Sequence, residues 1–274
     1  PNVAGVTFTG SSDIGRKIGA SVFARGGKMQ LEMGGKNPLI VLDDADLDKA
    51  IEYAINGAFF SSGQRCTASS RLIVTKNIHD SFIDAMSKRM ELLRIGDARN
   101  PNTDIGPVVS EAQLKKNLEY LQIGLNDGAK QLTGGEQVEQ ATPGWYLSPA
   151  LFIDAKSEMK ICREEIFGPI AAVMSVNDYD EALNLANDSE FGLSAGIVTN
   201  DRSIIDHFIA NIHSGMVQIN LPTAGMDFHA PITGRKNSSF GPPEKSSYCR
   251  EFFTNTKVVH ANYGKRLNSK KEES

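Results

Sequence analysis

The strongest constraint on the fold is an alternation in the second half of the chain. Residues 171–176, 195–199 and 216–219 are short apolar runs of strand length, and 179–187 and 203–211 between them carry helical periodicity. That order predicts an α/β unit with a largely parallel sheet, because parallel strands need a crossover and the helices supply it. The first half is less regular. Residues 3–9 read as a short buried strand, followed by Gly10-Ser11-Ser12-Asp13 and a helix to about Ala24, with Ser12 or Asp13 as its N-cap. Extended segments at 29–33 and 39–42 are separated by Gly34-Gly35-Lys36-Asn37-Pro38, a break that makes the best domain boundary. Asp46 is expected to cap a helix to about Phe59 whose apolar face carries Leu47, Ala50, Ile51, Ala54 and Ala58. Strands at 72–74 and 130–133, helices at 78–93 and 111–126, and loops at 96–109 and 221–247 complete the expectation, with a β-prone terminal strand at 252–261 and a frayed, charged tail at 265–274.

Composition removes several classes of function. The 274 residues are 40% hydrophobic and 23% charged, which suits a packed core, and the net charge of -4 offers no basic surface for nucleic acid or an anionic membrane. No apolar run approaches the ~18 residues of a membrane span, and no secretory signal is seen. Cys66, Cys162 and Cys249 are the only cysteines; an odd number without C-x-x-C spacing argues against disulfides and zinc and for a reducing, cytoplasmic location. The chain opens on Pro1 rather than Met, and so reads as a fragment or a processed product.

Cys66 is the cysteine with chemistry around it. It follows Gly63-Gln64-Arg65, a poor core sequence, and Arg65 sets a fixed cation beside the thiol, which favours the nucleophilic thiolate. Against this stands the commoner role of a buried cysteine as a small hydrophobe. None of the five histidines falls in a cysteine-protease context, so a carboxylate is the better partner. Glu32 ends an apolar strand directly before two glycines, where a charge is costly to bury unless paired or functional; an exposed strand-end carboxylate is the plainer reading. The Gly10-Ser11 turn opens a helix whose free N–H groups suit a phosphate, although the spacing is not G-x-G-x-x-G.

Taken in order, Phe8-Thr9-Gly10-Ser11, Leu31-Glu32-Met33-Gly34-Gly35-Lys36-Asn37-Pro38, Gly63-Gln64-Arg65-Cys66, Glu164-Glu165-Ile166-Phe167-Gly168-Pro169, Phe191-Gly192-Leu193-Ser194-Ala195-Gly196 and Gly215-Met216-Val217-Gln218-Ile219-Asn220 resemble the signature blocks of the aldehyde dehydrogenase superfamily. Met33 stands where leucine is usual, and Pro231-Ile232-Thr233-Gly234-Arg235-Lys236 departs from the usual Pro-Phe-Gly-Gly-x-Lys. The tail, with Ser238-Ser239-Phe240-Gly241-Pro242, is most similar to the 2,5-dioxovalerate (α-ketoglutaric semialdehyde) dehydrogenase type.

The resemblance implies an α/β fold in three parts and a flexible tail. Residues 1–31 would be a remnant of the Rossmann-like NAD(P)-binding domain, and 32–236 the catalytic domain with a twisted, mostly parallel sheet. Residues 237–264 would be a segment with an oligomerisation strand, and 265–274 the tail. It implies Cys66 as nucleophile and Glu32 as general base. Gly10, Ser11, Ile14, Met33, Gly34, Glu165 and Phe167 would contact NAD or NADP, and Arg65, Thr67 and Phe228 the substrate. An aldehyde would be oxidised to a carboxylate in a homodimer or homotetramer, with no metal. The family's upstream cofactor half is not in this sequence, so the resemblance also leaves an inactive fragment or assembly partner open, with little dehydrogenase activity in the isolated chain. A CoA-acylating enzyme is a further alternative that Glu32 disfavours.

Overall fold

The structure is a computed structural model that describes residues 3–225 and 227–264. The chain starts with β1 (Gly5–Thr9), α1 (Ser12–Phe23) and β2 (Lys28–Glu32), a right-sized crossover that leaves β1 and β2 parallel and in register from Gly5↔Lys28 to Thr9↔Glu32. The N-cap of α1 is Ser11 rather than Ser12 or Asp13, and its side chain makes no capping bond. Beyond the glycine break come β3 (Asn37–Val41), α2 (Leu47–Phe59), β4 (Ser69–Thr75) and α3 (Lys76–Glu91). Asp46 caps α2 by accepting from the Lys49 N–H, and the expected apolar face is buried at Ala50, Ile51, Ala54 and Ala58. Then follow α4 (Glu111–Asn126), β5 (Lys130–Thr133), the small hairpin β6 (Gln137–Val138) and β7 (Tyr146–Leu147), β8 (Ala150–Ile153), and the single turn α5 (Lys160–Arg163).

The alternating half supplies β9 (Ile170–Val176), α6 (Tyr179–Asn187), β10 (Phe191–Gly192), β11 (Ser194–Val198), α7 (Arg202–Asn211) and β12 (Met216–Ile219). The chain closes with β13 (Arg235–Lys236), β14 (Ser239–Phe240) and α8 (Tyr248–Phe253). A seven-stranded sheet runs in the order β12-β11-β3-β4-β9-β8-β5, parallel throughout except for β5 at one edge. Its interior strand β3 is buried at every residue, as expected for a strand covered on both faces. One apolar cluster packs α2 and α3 on one face and a second packs α4, α6 and α7 on the other. A separate three-stranded sheet has the order β1-β2-β14, its last strand antiparallel and opposing Glu32 with Ser239. The chain passes from this small sheet to the large one through residues 33–36.

One expected element is not a strand within the single chain. Residues 252–261 were expected as a strand, but 248–253 form helix α8 and 254–264 are irregular and exposed. β-propensity alone does not hold a strand; it needs a neighbour to pair with, and none lies beside this segment within the described chain. The tail at 265–274 lies outside the described residues. No helix among the described residues is long and apolar enough to cross a membrane.

Candidate active site

The topology makes a cavity where the two sheets face each other. β1 and β2 end there, at Thr9 and Glu32, while β3, β4 and β9 begin there. The segments that join these strands line a cavity of about 650 Å³ with Thr9, Gly10, Ser11, Met33, Gly34, Arg65, Cys66, Thr67, Glu165 and Phe167, within the ordinary range for a small-ligand site. Four stretches spread between residues 9 and 167 thus converge, and ten of the twelve residues singled out from the sequence belong to them or flank them. Ile14 and Phe228 are not among the lining: Ile14 is exposed on α1, and Phe228 is exposed beside His229.

Cys66 is half-buried on a turn that precedes β4. Gly63 shapes that turn at φ +64°, and a Cβ there would lie 2.2 Å from the Gly168 carbonyl oxygen, so the glycine lets the Cys66 turn and the Glu165 segment lie backbone to backbone. Phe167, at φ +61°, also occupies the left-handed region, an unusual conformation for an aromatic residue and one found where structure over-determines it, as at ligand sites.

Arg65 acts on the thiol only through its charge, which interacts favourably with a Cys66 thiolate. Its guanidinium turns away and donates to the Asn56 and Gly57 carbonyls near the end of α2, satisfying orphan carbonyls of that helix. Burial pushes the Cys66 thiol pKa up, and the charges of Glu165 and Glu32 push it further. The nearby backbone N–H groups of Cys66 and Thr67 oppose that rise.

Glu32 is buried at the end of β2, and its carboxylate accepts a hydrogen bond from the Ser239 hydroxyl. Burial drives its pKa to about 7; the Ser239 bond acts in the other direction and the charge of Glu244 adds to the rise. A carboxyl group poised near neutrality beside a thiol is suited to proton transfer. Ser239 had no signal in sequence: it lies in a tail 207 positions from Glu32 and comes to it only through β-pairing.

Glu165 is reached from the other side. The Gly35 N–H donates to its Oε1 at 2.9 Å, and Lys116 donates to its backbone carbonyl at 3.0 Å. A Cβ on Gly34 would come within 2.5 Å of the Glu165 carboxylate, so the glycine pair cradles that group. Lys36 follows, fully buried, with its Nζ lacking a hydrogen-bond partner among the described residues and its pKa lowered by burial to about 8. Nothing in the sequence marked Lys36 apart from its neighbours. Among the described residues no cluster of side chains could hold a metal ion.

These parts suit a nucleotide and a thiol-reactive substrate in one cavity. The α1 N-terminus carries no side-chain cap, which leaves its N–H groups for an anion, and it opens on the same cavity through Thr9, Gly10 and Ser11. The glycine cradle holds the Glu165 carboxylate at the opposite wall as an acceptor for hydroxyl groups.

Comparison with known proteins agrees with this geometry. The chain belongs to the aldehyde dehydrogenase family, whose profile matches residues 1–259. It is similar to the alpha-ketoglutaric semialdehyde dehydrogenase of Bacillus subtilis, at 46% identity over 259 residues that cover 94% of this chain and 53% of the relative. It is also similar to the 2,5-dioxopentanoate dehydrogenase of Saccharolobus solfataricus, at 39% identity over 94% of this chain and 54% of that one. Among solved structures, an NAD-dependent aldehyde dehydrogenase from Sinorhizobium meliloti superposes with a TM-score of 0.93 at 35% identity, over 97% of this chain and 52% of the other. A betaine aldehyde dehydrogenase from Staphylococcus aureus in complex with NAD+ gives 0.86 at 31% identity, over 90% and 49%. The chain therefore spans about half the length of the relatives it matches.

Proposed function

We propose that this chain carries the catalytic site of an NAD(P)-dependent aldehyde dehydrogenase that converts a semialdehyde of the 2,5-dioxovalerate kind to a carboxylate. The observation that carries the reading is the convergence of Cys66, the α1 N-terminus and the Glu165–Phe167 segment on one cavity, flanked by a buried Glu32 with a pKa near 7. The relatives named for alpha-ketoglutaric semialdehyde and 2,5-dioxopentanoate support the substrate class.

Cys66 gives up its proton to solvent water, and the thiolate sulfur adds to the aldehyde carbon, which turns the carbonyl oxygen into an alkoxide. The nearby Cys66 N–H stabilises that oxyanion. Oxidation of the thiohemiacetal to a thioester needs a two-electron acceptor, and a bound nicotinamide dinucleotide supplies one. Glu32 as carboxylate then takes a proton from water, the hydroxide equivalent adds to the thioester carbon, and the C–S bond breaks to release the acid and restore the thiolate. Gly10, Ser11 and Ile14 would hold the pyrophosphate and adenosine side of the cofactor. Met33, Gly34, Glu165 and Phe167 would hold its nicotinamide riboside, and Arg65, Thr67 and Phe228 would border the substrate. Residues 1–31 would be the end of a cofactor domain, 32–236 the catalytic domain and 237–264 an arm used in a homodimer or homotetramer.

The acyl-transfer half of this scheme is testable without cofactor. With p-nitrophenyl acetate, the chain is expected to release one equivalent of nitrophenolate in a burst and to carry an acetyl group on the Cys66 peptide. Unchanged turnover in Cys66→Ala would remove Cys66 as the nucleophile. NADH formation with 2,5-dioxovalerate in the same preparation then tests the oxidative half.

A further inference from the structure

The Cys66 and Thr67 N–H groups, which favour the thiolate, belong to a turn whose carbonyls are all held from beneath. The Asn37 side-chain amide donates to the Cys66 carbonyl at 2.8 Å and to the Ala68 carbonyl at 2.9 Å, and its Oδ1 accepts from the Ser194 N–H at 3.0 Å. The Thr223 hydroxyl donates to the carbonyl between them, that of Thr67, at 2.6 Å. Ala68 N–H closes the turn on the Arg65 carbonyl at 3.0 Å. Thr223 is itself fixed: its backbone carbonyl accepts from the Ser194 hydroxyl at 3.1 Å, and its oxygen lies 2.5 Å from the Ser69 hydroxyl. Asn37, Ser69, Ser194 and Thr223 are all buried.

Peptide planarity turns these bonds into an aiming device. Within one peptide unit the C=O and the N–H point in opposite directions. A Cys66 carbonyl held by Asn37 therefore fixes the direction of the Thr67 N–H. A Thr67 carbonyl held by Thr223 fixes the Ala68 N–H, which holds the Arg65 carbonyl, and the Arg65 carbonyl fixes the Cys66 N–H. The sequence explains why a side chain does this work. Pro38 has no N–H to offer in an interior strand, where proline is rare, and the β3–β4 register shifts between Asn37 and Pro38. At that irregularity the Asn37 amide reaches both neighbours in place of a regular ladder: the start of β11 on one side and the nucleophile turn on the other.

We propose that Asn37 and Thr223 are positioning residues for the nucleophile: by holding the carbonyls of residues 66–68 they keep the Cys66 and Thr67 N–H groups in place near the sulfur and so set its reactivity. Neither lines the cavity, so both act through the turn. The inference rests on the reading of Cys66 as nucleophile. The charged groups around the sulfur are Glu165 and Glu32, which oppose the thiolate, and Arg65, whose charge favours it while its guanidinium bonds to the end of α2. The N–H pair adds to that charge in favouring the thiolate.

The test is the rate of iodoacetamide alkylation of the Cys66 peptide, followed by mass spectrometry from pH 6 to 10 on the chain and its variants, with near-UV circular dichroism as the check on folding. Thr223→Val, which removes the hydroxyl at nearly constant shape, is expected to slow alkylation at pH 7 about tenfold and to move the profile up by about one pH unit, since a tenfold change in thiolate fraction is one unit of pKa. Asn37→Ala is expected to do the same, and it provides a second arm if Thr223→Val does not fold. Thr223→Ser keeps the donor and is expected to stay within about twofold of the parent. Profiles of folded Thr223→Val and Asn37→Ala that superimpose on the parent overturn the proposal, as does a Thr223→Ser profile shifted as far as that of Thr223→Val. A parent whose Cys66 is inert while Cys249 reacts overturns the nucleophile reading itself, and that result is distinct from the others.

Discussion

On the large-sheet side of the cavity, β3 buries all five of its residues and α2 seven of its thirteen; on the small-sheet side, β1 buries none of its five fully and α1 only Gly15, Gly19 and Val22. The helices differ at their starts as well. Asp46, Ser110, Asp178 and Asp201 each cap their helix through a side-chain oxygen, whereas Ser11 does not; Thr75 at the start of α3 does not either, but that helix end lies away from the cavity lining. The wall that presents the thiol is thus a doubly covered sheet that fixes the nucleophile turn. The wall that opens on the proposed pyrophosphate site has a free helix end and a half-exposed sheet. Rigidity is placed where a bond is made to carbon, and unsatisfied N–H groups are left where an anion is to be received.

Glu32 joins the two walls, so its replacement is expected to have the largest effect. Its carboxylate works as a base only when ionised, so deacylation in the parent should fall as pH drops through about 7. Glu32→Gln is expected to lower steady-state ester hydrolysis by about 10²–10⁴-fold, to leave the acylation burst, and to abolish the inflection near pH 7. The burst and the pH profile are read from the same nitrophenolate traces. A retained inflection would place the base elsewhere, and Glu165 or Glu244 would be the next carboxylates to replace.

Lys36 tests the claim that the large-sheet wall is built for rigidity, since it is the one place there where a fully buried ammonium has no hydrogen-bond partner among the described residues. Its folded pKa is about 8 against 10.5 for the free side chain, so the fold disfavours the charged form. The penalty is complete below pH 8, fades as pH rises and is gone above about 10.5, where the unfolded chain also holds a neutral amine. Lys36→Met, close in volume and apolar, is therefore expected to raise unfolding free energy by about 2–3 kcal/mol at pH 7 and by little at pH 10.5. Urea melts at the two pH values measure both. A loss of stability at pH 7 would mean that the Lys36 charge is matched by Glu165 more fully than its burial implies, and cofactor titration of the variant would show the same coupling.

The same contrast explains what could be read from sequence. The large sheet was legible because β9, α6, β11, α7 and β12 each carry their own periodicity and capping signals; Asp46, for example, caps α2 as expected. The short β8, four buried apolar residues after Pro149, was not legible, because its place is set by β9 and β5 rather than by any pattern of its own. The cavity-lining residues were legible as motifs, through the resemblance they carry. Their electrostatics were not. Arg65 adjoins Cys66 in sequence yet serves the end of α2, while Ser239 and Thr223, distant in sequence, bond to Glu32 and to the nucleophile turn. Side-chain direction is decided by tertiary packing, which adjacency does not encode. The terminal strand expected at 252–261 does not form within the single chain for a related reason, since pairing partners are not a local property.

The smallest expected effect bears on the helix ends. If the free start of α1 serves a ligand and the capped helices serve stability, alanine should separate them. Asp201→Ala removes an oxygen that accepts from the Ser203 and Ile204 N–H groups at 2.8 and 3.3 Å, and should lower unfolding free energy by about 1 kcal/mol. Ser11→Ala removes no capping bond and should change it by less than about 0.5 kcal/mol. Thermal melts of the two variants at pH 7 give the comparison. Equal losses would show that Ser11 caps α1 in solution, and its N–H groups would then be committed to the fold and not free for a phosphate. Inorganic pyrophosphate added to the Ser11→Ala chain makes the distinction independent of stability, because an uncapped, unoccupied helix end should still gain in melting temperature when the anion binds.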